Sequence, residues 1–172
     1  MKEISFKDDI LPLKDKLFRL ALRITLDRAE AEDVVQDTLI RVWHKRDEWS
    51  NIDSIEAYSM TICRNLSLDR TSKAARSNLT IDEERDQPPT HTTPYEELAT
   101  KQRLQLVQQL IDRLPEVQRS IMLLRDVEGK SYREIATILN LSEEQVKVYL
   151  FRARQRIKLQ FAKIEEFDST NT

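Results

Sequence analysis

A chain of 172 residues with one glycine, Gly129, and five prolines has little with which to build tight turns. Sheets and hairpins rely on residues that accept left-handed dihedrals or fix a bend, chiefly Gly and Pro. Helices joined by few corners are what remains, and 34% charged with 40% hydrophobic residues suits amphipathic ones. The fold class expected is all-α. Because cores usually form at roughly 100 to 150 residues, the length fits one ordinary domain or two small ones.

The apolar spacing carries the helical reading further. Leu17, Leu20, Ala21 and Ile24, then Ala31, Val34, Val35, Leu39 and Val42, recur three and four apart, the period of a helix with one buried face. The pattern breaks at Leu26-Asp27, where Asp27 suits the N-cap of a second helix. A third helix is expected over 55–73, capped by Ser54, with Ala57, Tyr58, Ile62 and Leu66 on its buried face. Trp43 and Trp49, at the end of an amphipathic stretch, read as core residues rather than stacking sites. Residues 77–97 lose the period, hold Pro88, Pro89 and Pro94, and carry too little apolar surface to offset the entropy of ordering. Beyond them Leu98, Leu104, Val107, Ile111 and Leu114 mark a helix stopped by Pro115. Val117, Ile121, Leu124 and Val127 mark the next, which closes at Gly129. The organisation expected is a helical domain over 1–76, a flexible acidic linker over 77–97, a second helical domain over 98–163 and a disordered tail over 164–172.

Two capping boxes follow Gly129 in quick succession. Ser131-Tyr-Arg-Glu134 and Ser142-Glu-Glu-Gln145 share the spacing at which a serine accepts from the third amide while the acid or amide reaches back. Helix starts eleven residues apart, with Asn140-Leu141 between them, describe a helix-turn-helix. Ala136 permits close approach of the two helices, Asn140 tolerates left-handed dihedrals, and Ile135, Leu139, Leu141 and Val146 bury the elbow. The second helix carries Lys147, Arg152, Arg154, Arg156 and Lys158 with Tyr149 and Phe151 among them. Its first half is expected to enter the major groove of DNA through Lys147, Val148, Tyr149, Phe151 and Arg152, and its later bases to meet phosphates.

Net charge is -2, so DNA contact must come from local patches. Residues 64–76 set Arg64, Arg70, Lys73 and Arg76 against Asp69. Residues 77–97 set six acids against Arg85, and 142–163 set six bases against Glu143 and Glu144, an order of basic, acidic, basic. A lone cysteine, Cys63, with only His44 and His91 beside it, offers no metal-ligand cluster, and no internal disulfide is possible. No cofactor is expected. Neither a signal-peptide core nor a run near the ~20 apolar residues of a membrane span is present, so a cytoplasmic protein without membrane insertion is expected. Without a paired nucleophile and base or a Gly-rich phosphate loop, the chain does not read as an enzyme, and no catalytic residue is assigned.

Taken together, AEDVVQDTLIRVW at 31–43, IEAYSMTICRNLSLDRTSKAAR at 55–76 and SYREIATILNLSEEQVKVYLFRARQRIK at 131–158 resemble the extracytoplasmic-function (ECF) class of bacterial RNA polymerase sigma factors, in the sigma-70 family. The resemblance spans most of the chain except the linker and tails. It implies a subunit that joins core RNA polymerase through its clamp helices and flap, reads the -35 and -10 elements of promoter DNA and helps open the duplex. Asp33, Gln36, Asp37 and Arg41 would then lie on the polymerase-binding helix, where Asp33, Asp37 and Arg41, four apart, make one polar stripe opposite Val34 and Val35. Asn65, Asp69, Arg70, Lys73 and Arg76 fall where the family meets the -10 element. The -35 set is Lys147, Val148, Tyr149, Phe151 and Arg152, with Ser131, Tyr132, Arg133 and Arg154 near the DNA backbone. Relatives often carry a base where Val148 and Tyr149 stand, so base preference does not transfer. An anti-sigma partner is also implied by the family.

Two other readings stand beside this one. A response-type regulator shares the Ser-x-x-Glu-Ile-Ala elbow, but needs a receiver domain that residues 1–76 do not resemble. A helical adaptor would bind polymerase without conferring promoter specificity.

Overall fold

The computed structural model describes the backbone of residues 3–77 and 95–170 and the side chains of 3–73 and 100–166. All regular structure among the described residues is helical. The 77–97 linker falls almost wholly outside them.

The first unit is three helices. α1 spans Lys14–Thr25, α2 Arg28–His44 and α3 Ile55–Ser77. Asp27 caps α2 by accepting from the Glu30 amide at 3.1 Å, and Ser54 caps α3 by accepting from the Ala57 amide at 3.2 Å, both as the sequence predicts. Leu17, Leu20, Ala21 and Ile24 pack with Ala31, Val34 and Val35 and with Met60, Cys63 and Leu66. The buried face of α3 is rotated from the expected one. Met60, Cys63 and Leu66, with Ser59 and Ser67, are buried, while Ala57, Tyr58 and Ile62 are only half-buried. Small hydroxyls made that face look polar. Ser67 is tolerated there because it donates to the Cys63 carbonyl at 2.8 Å, as Thr38 on α2 does to Val34 at 2.7 Å, whereas the buried Ser59 hydroxyl makes no such bond.

Ahead of α1, residues Phe6–Ile10 wind in a wide π-type turn that brings Ile10 against Val42 and Trp49 in a smaller apolar cluster. Trp49 is core, its indole nitrogen donating to the Val42 carbonyl at 2.9 Å. Trp43 is not: it is 44% exposed, edge-on to Phe6 and under Arg46.

The second unit holds α4 (Tyr95–Asp112), α5 (Glu116–Met122), α6 (Tyr132–Leu139) and α7 (Glu143–Thr170). After α5 the chain widens through Leu123–Val127 into a π-type turn before Gly129 reverses it at φ +67°. The wider turn carries Val127 out of register with Ile121 and Leu124, so Val127 is 61% exposed rather than on the apolar face expected for it. Nothing lies within 4 Å of a Cβ built on Gly129, so its backbone conformation rather than its surroundings calls for glycine. The helix α7 continues through Thr170, and residues 164–170, expected as part of a disordered tail, are helical.

The two units do not sit apart. Ile121, Leu124, Ile135 and Ile138 belong to the same apolar core as Leu17, Leu20, Ile24 and Met60, with α5 against α1 and α6 against α3. Two small helical domains joined by a linker were the expectation, with their mutual arrangement left open. Contacts between segments so far apart in sequence leave no trace in local periodicity.

Candidate nucleic-acid and polymerase interface

The elbow forms around two N-caps and one left-handed residue. Ser131 accepts from the Glu134 amide at 3.1 Å, while the Glu134 carboxylate lies 3.9 Å from Lys130 Nζ. Ser142 and Gln145 make the full reciprocal box: the Gln145 amide donates to Ser142 Oγ at 3.1 Å and the Ser142 amide to Gln145 Oε1 at 3.0 Å. Asn140 stands between them at φ 55°, ψ 50° and donates its amide to the Ala136 carbonyl, ending α6. Ile135, Ala136, Leu139 and Val146 are buried at the elbow and Leu141 is half-buried.

At 100° per residue, Val146, Leu150 and Ala153 form the inner face of α7, and all three are buried. Val148, Phe151 and Arg152 then point away from it. Val148 is 45% and Phe151 63% exposed, a large apolar area for a surface that covers nothing among the described residues. Arg152 is exposed beside them. Lys147, also exposed, leans over the Tyr132 ring at 5.5 Å, and Arg125 stacks on the same ring at 4.4 Å.

Four expected contacts are differently engaged. Tyr149 is half-buried against the core, on the flank of α7 rather than its outer face. Arg154 hydrogen-bonds and ion-pairs with Asp126, a bond that raises its pKa and holds it firmly cationic. Ser131 spends its hydroxyl as an N-cap, and Tyr132 is packed between two cations, while Arg133 is exposed.

On the first unit, Val34, Val35, Thr38 and Val42 are buried on α2, leaving Asp33, Gln36 and Arg41 exposed and Asp37 half-buried. On α3, Asn65, Asp69 and Lys73 are exposed, and the side chain of Arg76 lies outside the described residues. Arg70, expected with them, turns back to α2 and grips Asp37 at 2.8 Å, Glu30 at 3.0 Å and Asp33 at 3.5 Å. One guanidinium thus joins the expected -10 helix to the expected polymerase helix. These partners are more than thirty residues distant in sequence, beyond any helical-spacing rule.

Two surface features had no sequence signal. An open cleft of about 730 Å³ is lined by Glu3, Ile4, Arg46, Trp49, Ser50, Ile52 and Asp53, between α2 and α3. A shallower apolar recess lies at Phe6, Leu39, Ile40, Trp43 and His44, with Ile40 53% exposed. Among the described residues no helix is long and apolar enough to cross a membrane, and no group of acids, His and Cys is placed to hold a metal.

Comparison with known proteins accounts for both units. Residues 10–77 match the family model of sigma-70 region 2, and residues 104–157 that of sigma-70 region 4. The ECF RNA polymerase sigma factor SigL of Mycobacterium tuberculosis is 33% identical over 144 residues, covering 83% of this chain and 81% of that protein. SigW of Bacillus subtilis, another ECF sigma factor, is 26% identical over 167 residues, covering 91% and 88%. Among solved structures, the sigma factor RpoE of Bartonella quintana, in complex with the anti-sigma factor NepR, superposes with a TM-score of 0.72 at 26% identity, over 92% of this chain and 97% of that one. The chain belongs to the ECF class of the sigma-70 family and is a promoter-recognising sigma factor whose partners are core RNA polymerase and promoter DNA.

Proposed function

We propose that residues 98–163 read the -35 element through the outer face of α7, with Lys147, Val148, Phe151 and Arg152 in the major groove and Arg133 on the phosphate backbone. Ser131 and Tyr132 set the approach of the elbow, and Tyr149 and Arg154 act by bracing α7. The observation that carries this reading is the exposed Val148-Phe151-Arg152 face on a helix-turn-helix, since Phe and Val suit thymine methyls and Arg suits guanine.

Residues 1–76 meet core polymerase through Asp33, Gln36, Asp37 and Arg41, and the -10 element through Asn65, Asp69, Lys73 and Arg76. Arg70 holds these two helices in register. The work is recognition and strand separation, with no bond made or broken by the chain, and takes place in the cytoplasm. An anti-sigma protein is the regulatory partner expected, as RpoE of Bartonella quintana is seen with NepR.

The test is a paired replacement. Lys147→Ala with Arg152→Ala abolishes binding to promoter DNA by the assembled holoenzyme while association with core polymerase, read by size-exclusion chromatography, is unchanged. Loss of both activities in a folded variant would contradict the assignment.

A further inference from the structure

Arg70 lies on the flank of α3 turned away from the face expected to meet DNA. At about 100° per residue it lines up with the buried Cys63, Leu66 and Ser67 and stands about 140° round the helix from Asn65. Its guanidinium reaches α2 instead. Nη1 donates to Glu30 Oε2 at 3.0 Å and Nη2 to Asp37 Oδ2 at 2.8 Å, with Asp33 Oδ2 3.5 Å from Nη1. Each contact falls on one oxygen of its carboxylate, and a carboxylate has lone pairs enough on the other to accept from a second partner.

Two of these acids belong to the stripe assigned above to polymerase. The side chains of Asp33 and Asp37 are 63% and 47% exposed, against 30% for Arg70, so the pair faces outward from a cation set behind it. The planar fork of a guanidinium fixes the direction of the groups it binds, which an ammonium on a flexible stem does not. Arg70 therefore selects one arrangement of the two aspartates, a helical turn apart on α2, before any partner arrives. Three carboxylates against one guanidinium leave two negative charges in excess, so the stripe stays anionic and complementary to cationic side chains. Partly exposed pairs add little to stability, and the larger effect of this network is on the shape of the stripe.

We infer that Arg70 is a positioning residue for polymerase docking: from the helix that carries Asn65 it holds Asp33 and Asp37 in the arrangement that cationic side chains of core polymerase meet, and it makes no contact with DNA itself. The inference rests on the assignment of Asp33 and Asp37 to the polymerase face. A partner that meets two carboxylates already ordered does not bear the entropy of fixing them, a gain of about tenfold in affinity. Removing Arg70 also deepens the negative charge of the stripe, which favours encounter, so the loss falls on dissociation.

The experiment titrates the full chain onto immobilised core polymerase by biolayer interferometry, at a temperature where circular dichroism shows every variant folded. Arg70→Gln raises Kd about tenfold through koff, with kon equal to the parent's or faster. Arg70→Lys keeps the charge without the fork and binds at least roughly threefold more weakly than the parent. Glu30→Gln with Arg70→Gln restores the parent's net charge and stays as weak as Arg70→Gln. The loss in Asp37→Ala with Arg70→Gln falls short of the product of the single losses, because Arg70 acts through Asp37. In runoff transcription from a promoter that the parent serves, the Arg70 variants need more chain for half-maximal transcript and reach the same plateau. Full recovery in Arg70→Lys, or in Glu30→Gln with Arg70→Gln, would reduce the effect to charge and overturn the inference. So would an unchanged Kd in folded variants, or a lower plateau at unchanged Kd, which returns Arg70 to the DNA. A parent that binds core yet gives no promoter-dependent transcript removes the sigma reading, and the Kd comparisons still decide the role of Arg70.

Discussion

Arg70 is the residue whose role differs most between sequence and structure. The family resemblance places it among the residues expected at the -10 element, yet its guanidinium is held by Glu30, Asp33 and Asp37, and the bond it donates to Glu30 raises its pKa further. Networks of partly exposed pairs are modest, so Arg70→Ala should lower stability by about 1 kcal/mol in urea denaturation. Combining it with Asp37→Ala should give less than the sum, because the partner is already lost. Glu56 offers a pH test. Burial pulls its pKa up, but hydrogen bonds from Lys130 and Lys16 outweigh that and leave it below its ordinary 4.5. A lowered carboxylate pKa means stability that is present above the unfolded value and lost as pH falls through the folded one. Acid unfolding below about pH 4.5 should therefore be less steep in Glu56→Gln than in the parent. Burial pushes the Cys63 thiol up to about 12, and its Sγ donates to the Leu17 carbonyl at 3.3 Å. At pH 8 a thiol reagent should react with Cys63 only as fast as the protein unfolds.

At the scale of elements, features that depend on neighbouring residues are legible in the sequence. Asp27, Ser54, Ser131 and Ser142 cap the helices they were assigned, because a cap depends on residues three apart. Asn140 takes the left-handed conformation for which asparagine is suited, whereas Leu26 takes the same conformation at φ 55° with no sequence signal. The buried face of α3 and the position of Val127 differ from expectation for local reasons of another kind: small hydroxyls on the buried face, of which Ser67 bonds back to its own helix, and a π-type turn that shifts the register. Contacts across the chain, such as Arg154 with Asp126 or Arg70 with Glu30, lie beyond any periodicity. Ser142→Ala should lower stability by about 1 kcal/mol in thermal or urea denaturation, and Asn140→Val should cost a similar amount through the strained backbone. Asn140→Gly should be neutral within error, which would separate backbone strain from loss of the asparagine side chain.

For the whole molecule, the distribution of charge matters more than its sum. A chain of net charge -2 is expected to bind DNA only through exposed bases such as Arg133, Lys147 and Arg152. Promoter binding by the holoenzyme should weaken steeply with salt, and Arg133→Ala should reduce the slope of log affinity against log salt by about 1, uniformly across sequences. Val148→Ala and Phe151→Ala should instead leave the slope unchanged and relax preference within the -35 element. The most direct measurement is runoff transcription across a pool of genomic promoters, using core polymerase with and without this chain. The expected result is a set of transcripts that core alone does not make, lost with Lys147→Ala and Arg152→Ala together. A complex that forms with core yet yields no promoter-dependent transcript would contradict the account and leave a helical adaptor in its place.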